Sequence, residues 1–333
     1  MVKGLLERIA EGPVLGDGGY LLELEKRGYV QAGPFTPEVA IEHPDALAQL
    51  HREFLRAGAE FLTTMTFYAS DEKLATVGLR DKVDEINQNA MRVARQVADE
   101  GEALVAGDLS LTWAYEPDDA SSRDRVRALF DRQLGDMISA GPPDFWVGET
   151  FSYLGEAVLF VERAKATGLP VVVTMSFEQT EPRSYEGDTP AACATRLADA
   201  GADVVGVNCL NGPEQQLPIA IEMRAAVAGA VPIACQPVAY RTTHDQPDFT
   251  ATPNFPYGLS PLQLARSDMA AYARKAADAG IDVIGSCCGS VAEHVRAMAK
   301  VLGKLPTDER DWKSATGKPM SGYEYREHSE TEV

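Results

Sequence analysis

The sequence predicts an α/β fold, and three observations support that prediction. Short strands rich in β-branched residues alternate with amphipathic helices along the chain. Predicted helices end in glycine just before the next strand, as at Gly58, Gly101 and Gly141. The unit recurs until eight strands are counted, and such alternation is typical of parallel βαβ units. We therefore expect a (β/α)8 TIM barrel in preference to a doubly wound open sheet.

The predicted strands are short and each follows the end of a helix, apart from the first. They are Val14–Gly19, Phe61–Phe67, Leu104–Leu109, Phe145–Glu149, Val171–Phe177, Val204–Cys209, Ile233–Val238 and Ile281–Cys287. Helix starts are marked as well, because Pro190 and Pro261 occupy positions typical of the first helical residue. The segment from Ser290 to Glu293 has the pattern of a capping box.

Length and composition fit one large barrel. The chain has 333 residues, of which 45% are hydrophobic, and no internal linker or low-complexity run divides it. The tail from Lys304 onward is polar. We expect a single barrel domain over residues 1–303 and a C-terminal extension over 304–333 that forms a surface arm or a disordered tail.

Charge and cysteine content exclude several classes of function. A net charge of -19 argues against nucleic acid or an anionic membrane as a partner. No stretch approaches the roughly 20 apolar residues of a membrane helix, and the first residues lack a signal-peptide pattern. Five cysteines, two of them adjacent, do not resemble a secreted disulfide framework. We expect a cytoplasmic protein.

Chemistry-bearing residues stand at the C-terminal ends of the predicted strands, where barrels of this kind carry their active sites. Two carboxylates and three thiols would meet at one barrel mouth. The candidates, in chain order, are Asp17, Gly18, Thr64, Tyr68, Glu149, Thr150, Asn208, Cys209, Gln236, Cys287 and Cys288.

The three thiols predict a zinc site. Three thiolates with one open position describe catalytic zinc, although a single cysteine at a strand end is more often a small buried hydrophobe. Neighbouring residues on a regular strand point to opposite faces, so Cys287 and Cys288 can share a metal only if the chain leaves the strand there. Gly285 and Gly289 flank the pair and permit that bend. The remaining cysteines, Cys193 and Cys235, are expected to be core residues.

Two short motifs resemble a known family. Gly206–Cys209 and Gly285–Cys288 look like the zinc signature of the homocysteine S-methyltransferase family. The front half resembles the betaine-using type in particular. The segments that carry this likeness are Gly16–Gly19, Leu24–Tyr29, Glu42–Pro44, Leu50–Gly58 and Thr66–Ser70, and the resemblance extends from about Gly4 to Leu302.

The resemblance implies a role for each candidate. Zn²⁺ would be held by Cys209, Cys287 and Cys288. Asp17 and Glu149 would hold the amino group of homocysteine, with Thr64, Asn208 and the backbone at Gly18 in the same subsite and Gln236 in support. Tyr68, Phe35 and Thr150 would face an onium methyl donor. The implied reaction gives methionine, and a homo-oligomer is expected.

Two departures from the betaine-using type affect the donor. This chain has Phe35 where that type has tryptophan, and Thr150 where it has tyrosine. Glycine betaine remains the favoured donor, and the alternative is a sulfonium such as S-methylmethionine or dimethylsulfoniopropionate. Two remoter alternatives are a barrel lyase acting on a phosphorylated substrate and a non-enzymatic zinc or redox-sensing protein.

Overall fold

A computed structural model describes residues 2–31 and 37–305, together with Gly322. Eight strands form one parallel sheet in the order β1-β8-β7-β6-β5-β4-β3-β2. They are β1 (Val14–Leu15), β2 (Phe61–Thr63), β3 (Leu104–Ser110), β4 (Phe145–Phe151), β5 (Val171–Met175), β6 (Val204–Asn208), β7 (Ile233–Gln236) and β8 (Val283–Ile284). All eight predicted strands are confirmed, in the predicted order.

The barrel closes between β1 and β2. The backbone N–H of Glu60 donates to the carbonyl oxygen of Leu15 at 2.8 Å, and the Leu15 N–H donates to Glu60 Oε2 at 2.8 Å. The side chain of Glu60 thus takes the place of a missing ladder bond. The predicted (β/α)8 barrel is confirmed.

Helices surround the barrel, and at least one precedes every strand. In the described ranges they are α1 (Leu5–Ile9), α2 (Leu21–Lys26), α3 (Val39–Glu42), α4 (Pro44–Ala57), α5 (Asp71–Ala75), α6 (Val83–Ala98), α7 (Ala120–Ala140), α8 (Leu154–Lys165), α9 (Pro190–Asp199), α10 (Pro213–Val227), α11 (Arg266–Asp278) and α12 (Ala292–Val301). None of these described helices has both the length and the apolar composition needed to cross a membrane.

Two apolar layers hold the barrel. Alternate strand residues, among them Leu104, Ala106 and Val147, fill its interior, and Leu5 of α1 joins this cluster. The opposite faces of the strands pack against the helices in a larger cluster. Because side chains alternate along a strand, Asp108 and Ser110 of β3 continue the inward-facing row above Ala106. The inward row therefore turns from apolar to polar as it approaches the C-terminal mouth.

Local boundaries differ from those predicted. Several strands are shorter than expected, and β8 covers only Val283–Ile284. At α9 the predicted start is confirmed, since Thr189 caps the helix and accepts from the Ala192 N–H. At Pro261 a single 3-10 turn forms instead, and α11 begins at Arg266.

The predicted capping box at Ser290 is wrong. The N-cap of α12 is Val291, whose N–H donates to His294 Nδ1 at 3.1 Å. The Ser290 hydroxyl is instead bonded to that of Ser286 at 2.6 Å. The predicted boundary at residue 303 stays a prediction, because the structure describes only Lys304, Leu305 and Gly322 beyond it.

Candidate active site

A cavity of about 220 Å³ opens at the C-terminal ends of the strands. Most of the residues that the sequence singled out line it. They are Asp17, Gly18, Thr64, Tyr68, Glu149, Thr150, Cys209, Gln236, Cys287 and Cys288. Phe35 lies outside the described residues. The structure therefore places the predicted carboxyls and thiols around one space.

The three thiols are brought together by irregular backbone at two strand ends. Cys209 and Leu210 follow β6 with φ of 54° and 55°, a left-handed conformation that costs free energy in residues other than glycine. The Gln216 side chain donates to the Cys209 carbonyl oxygen at 2.7 Å and so holds this turn. Cys287 and Cys288 lie beyond the end of β8, where the alternation of a regular strand no longer points adjacent side chains to opposite faces. Both can therefore point toward one ion.

The sulfur atoms lie close enough to share one ion. All three Sγ atoms are within 4.8 Å of one another, and those of Cys209 and Cys288 are 3.9 Å apart. A tetrahedral zinc with Zn–S near ~2.3 Å has sulfur–sulfur edges of about 3.8 Å, so the arrangement fits that metal. Hydrogen bonding from Cys287 and Cys288 holds the pKa of Cys209 well below its ordinary value.

Gly19 lets the loop that follows β1 lie against Cys287 and Cys288. A Cβ atom on Gly19 would stand 2.8 Å from the Cys287 carbonyl oxygen and 3.1 Å from the Cys288 Cα. The same loop carries Asp17. Its close approach therefore brings a carboxyl next to the thiols, and Gly19→Ala would push the two loops apart.

Asp17 is buried and held by a network. Its Oδ2 accepts from the Thr63 N–H at 2.7 Å and from the Tyr20 hydroxyl, and its Oδ1 accepts from Thr63 Oγ1 at 3.1 Å. The Tyr20 hydroxyl also lies 2.9 Å from His51 Nδ1. Burial raises the pKa of Asp17 to about 6, while the hydrogen bonds from Tyr20 and Thr63 oppose the shift.

Glu149 is positioned by Asn208. The Asn208 amide donates to Glu149 Oε2 at 2.6 Å and to Thr150 Oγ1 at 2.8 Å, and its Oδ1 accepts from the Thr150 N–H at 2.8 Å. Thr150 has a φ of 62°, so this clamp holds a strained residue. Asn208 is fully buried behind the carboxylate and does not itself line the cavity. Burial raises the pKa of Glu149 to about 8.

Aromatic side chains lie beside the cavity at Tyr68. Its ring centroid is 4.6 Å from that of Phe67 and 6.0 Å from that of Trp113. The buried ammonium of Lys73 lies 4.8 Å from the Tyr68 ring centroid and donates to Ser110 Oγ at 2.6 Å. Tyr68 therefore already packs against one cation, and Lys73 itself does not line the cavity.

The loop after β7 reaches the cavity. Phe249, Thr250 and Phe255 line it. The Phe249 ring stacks on buried Tyr240 with centroids 5.2 Å apart, and Phe255 packs edge-on against Phe249 at 5.7 Å. This loop contributes an apolar cover at the mouth.

Sequence reasoning missed three residues near the site. Asp108 lines the cavity from β3, Tyr20 lines it and donates to Asp17, and His51 lies behind Tyr20 and contacts its hydroxyl. The signal for Asp108 was an acidic residue within the mostly apolar strand β3. No candidate residue was predicted on that strand. No spacing pattern marks Tyr20 or His51, because they meet through the fold.

Comparison with known proteins agrees with this geometry. The profile of the homocysteine S-methyltransferase family matches residues 14–302. Betaine–homocysteine S-methyltransferase 1 of Bos taurus is 44% identical over 90% of this chain and 75% of its own. An S-methylmethionine–homocysteine S-methyltransferase of Pongo abelii is 41% identical over 90% of this chain and 81% of its own.

Solved structures share the fold. The metallated form of the homocysteine methyltransferase MmuM from Escherichia coli superposes with a TM-score of 0.72. The match covers 89% of this chain and 99% of that one at 20% identity. Three convergent thiols that could hold one metal ion share this barrel mouth with carboxyl side chains. The chain belongs to the homocysteine S-methyltransferase family.

Proposed function

We propose that this protein transfers a methyl group from glycine betaine to the thiol of homocysteine, giving methionine and dimethylglycine. One observation carries the proposal: three thiols that fit a single metal line one cavity together with the carboxyls of Asp17 and Glu149. Relatives more than 40% identical bear the names of betaine- and S-methylmethionine-dependent homocysteine methyltransferases.

Zinc is the metal that the donor set favours. Thiolate sulfur is a soft ligand, and three protein ligands with one open position are typical of catalytic zinc. Cys209, Cys287 and Cys288 would hold it. Bound zinc would lower the pKa of a substrate thiol and so supply a thiolate at neutral pH.

The carboxyl side of the cavity suits the amino group of the acceptor. Asp17 and Glu149 are acceptors for an ammonium, and both are already fixed by hydrogen bonds to the protein. An acceptor anchored at its amino group on one side and at its sulfur on the other has little freedom left. Anchoring at both ends aligns the sulfur for in-line attack, which is a large part of catalysis between two bound substrates.

The reaction needs alignment more than proton transfer. The acceptor sulfur forms a bond to the methyl carbon while the bond from that carbon to the donor nitrogen breaks, and the electron pair stays on nitrogen. Positive charge on the donor and negative charge on the sulfur are neutralised together, so a dry cavity favours this step. The apolar cover of Phe249 and Phe255 excludes water from it.

The donor lies where Tyr68 lines the cavity. An aromatic face attracts a trimethylammonium or a sulfonium group by cation–π interaction. Thr150 replaces an aromatic that the resemblance leads one to expect, and its hydroxyl is bound to Asn208. That replacement removes a cation–π contact expected for a trimethylammonium group, so a sulfonium donor is the second candidate, with homocysteine as the acceptor in both cases.

A donor panel tests the proposal. Zinc-quantified protein is assayed with homocysteine and, in parallel, glycine betaine, S-methylmethionine and dimethylsulfoniopropionate. Turnover with betaine is expected. Turnover only with a sulfonium would assign the donor pocket to the second candidate, and no turnover by protein carrying one zinc would contradict the acceptor assignment.

A further inference from the structure

Asp108 is an acid inside the barrel that the reaction described above does not use. It is 1% exposed and lines the cavity together with Asp17 and Glu149. Its Oδ1 atom has no hydrogen-bond partner among the described residues. A buried polar oxygen left without a partner costs free energy, so its presence at a cavity points to a ligand that supplies the missing donor.

The neighbouring groups do not satisfy Asp108. Lys73, the nearby buried cation, directs its ammonium to the Phe67 carbonyl oxygen at 3.0 Å and to Ser110 Oγ at 2.6 Å. Burial raises the pKa of Asp108 well above its ordinary value, and the charge of Glu149 adds to the shift. A second positive group in the cavity would offset both causes.

The three carboxyls come from one half of the barrel. Asp17 follows β1, Asp108 belongs to β3 and Glu149 to β4, where Ser110 pairs with Glu149. The thiols follow β6 and β8 in the other half. The loop that carries Asp17 lies against the cysteine pair, and the charges of Glu149 and Asp17 both act on Asp108. An amino-acid thiol bound at the thiols can therefore direct its ammonium toward these carboxyls.

The three carboxyls together have enough free acceptor positions to bind the three N–H donors of one ammonium group. A carboxylate offers about four acceptor positions and an ammonium has three N–H donors. Asp17 already accepts three bonds, and one oxygen of Glu149 accepts from Asn208. Asp108 is the carboxyl whose Oδ1 accepts no hydrogen bond from the described residues.

We propose that Asp108 is a third carboxyl of the ammonium subsite, so that the acceptor's ammonium donates one N–H each to Asp17, Asp108 and Glu149. The inference rests on the proposed function for the identity of the acceptor. Asp108 then acts as a specificity residue: it selects amino-acid thiols over thiols of equal length that lack the amino group.

Calorimetric titration of the zinc-loaded protein tests this subsite without turnover. The ligands are homocysteine and 4-mercaptobutanoate, which keeps the thiol and carboxylate but has no amino group. Asp108→Asn should weaken homocysteine binding roughly 10- to 100-fold, as expected for a lost hydrogen bond to a charged group. Binding of 4-mercaptobutanoate should not change.

A matched control is available at Asp136. This acid of α7 also has a buried oxygen without a partner, and it lies outside the cavity. Asp136→Asn should leave both affinities unchanged. Thermal unfolding checks each variant, and Asp108→Ser replaces Asp108→Asn if the amide variant does not fold.

Several results would overturn the assignment. Equal losses for both ligands would show that Asp108 only supports the cavity wall. A changed KM for the methyl donor with unchanged homocysteine binding would move Asp108 to the donor. If the wild type transfers methyl groups and Asp108→Asn binds homocysteine as tightly as the wild type, the ammonium subsite is wrong but the proposed function stands. If homocysteine binding depends on Asp108 but the wild type transfers no methyl group, the proposed function is wrong but the subsite stands.

Discussion

The two halves of the barrel mouth are built in different ways. The thiol wall, which consists of Cys209, Cys287 and Cys288, is placed by backbone: left-handed turns, close loops and short strand ends. In the carboxyl wall, which consists of Asp17, Asp108 and Glu149, hydrogen bonds from Tyr20, Thr63 and Asn208 orient Asp17 and Glu149. The thiols are thus fixed by the course of the chain, while Asp17 and Glu149 depend on a hydrogen-bond network that single substitutions can loosen.

Removing one member of the thiol wall should have the largest effect. In Cys288→Ala the metal loses one of its three protein ligands, so zinc is lost and methyl transfer falls by more than the 10- to 100-fold that is typical of outer-shell changes. Metal content and turnover are measured together. Cys193→Ala, at a buried cysteine outside the cavity, should keep both, and turnover retained by the Cys288 variant would contradict the role of the thiol wall.

A substitution in the carboxyl wall should separate acceptor binding from metal binding. Glu149→Gln keeps the shape but cannot become a carboxylate when the ammonium binds, so kcat/KM for homocysteine should fall roughly 10- to 100-fold. Zinc content should stay at the wild-type level. Loss of zinc in this variant would mean that the two walls are not independent.

The support behind Asp17 should have a smaller effect. Tyr20→Phe removes the hydroxyl that donates to Asp17 Oδ2, and the KM for homocysteine should rise about 3- to 10-fold. Tyr272→Phe is the matched control, because that buried hydroxyl bonds to the Cys235 carbonyl oxygen away from the cavity. If both variants changed only the free energy of unfolding, Tyr20 would have no part in acceptor binding.

The same network predicts a pH effect on stability. Burial lowers the pKa of His51 in the folded protein from 6.5 to about 3. The stability contributed by neutral His51 is therefore complete above pH ~6.5 and is lost as pH falls toward 3, with a loss of about 2 kcal/mol between pH 7 and pH 5.

Urea unfolding at pH 7 and pH 5 measures this contribution. In His51→Gln the decrease in the free energy of unfolding between pH 7 and pH 5 should be smaller than in the wild type by about 2 kcal/mol. The exposed His244→Gln should leave the fall as it is in the wild type. Identical pH dependence in the wild type and the His51 variant would contradict the origin assigned here.

The two walls also differ in how far the sequence revealed them. Cys209, Cys287 and Cys288 could be identified because paired thiols between glycines at strand ends are rare, and the eight-fold alternation had already placed those ends at one mouth. Asp108 could not, because one acid in an apolar strand has no motif. The sequence predicts a substrate contact for Asn208, yet its partners Glu149 and Thr150 become neighbours only when the barrel brings the ends of β4 and β6 together, with β5 between them.

X-ray absorption at the zinc edge tests the central claim most directly. The claim is that the three cysteine sulfurs and the sulfur of homocysteine share one metal. We expect three sulfur neighbours near ~2.3 Å in the zinc-loaded protein and a fourth after homocysteine is added, while 4-hydroxy-2-aminobutanoate, which has no thiol, adds none. An unchanged sulfur count with homocysteine bound would contradict the account.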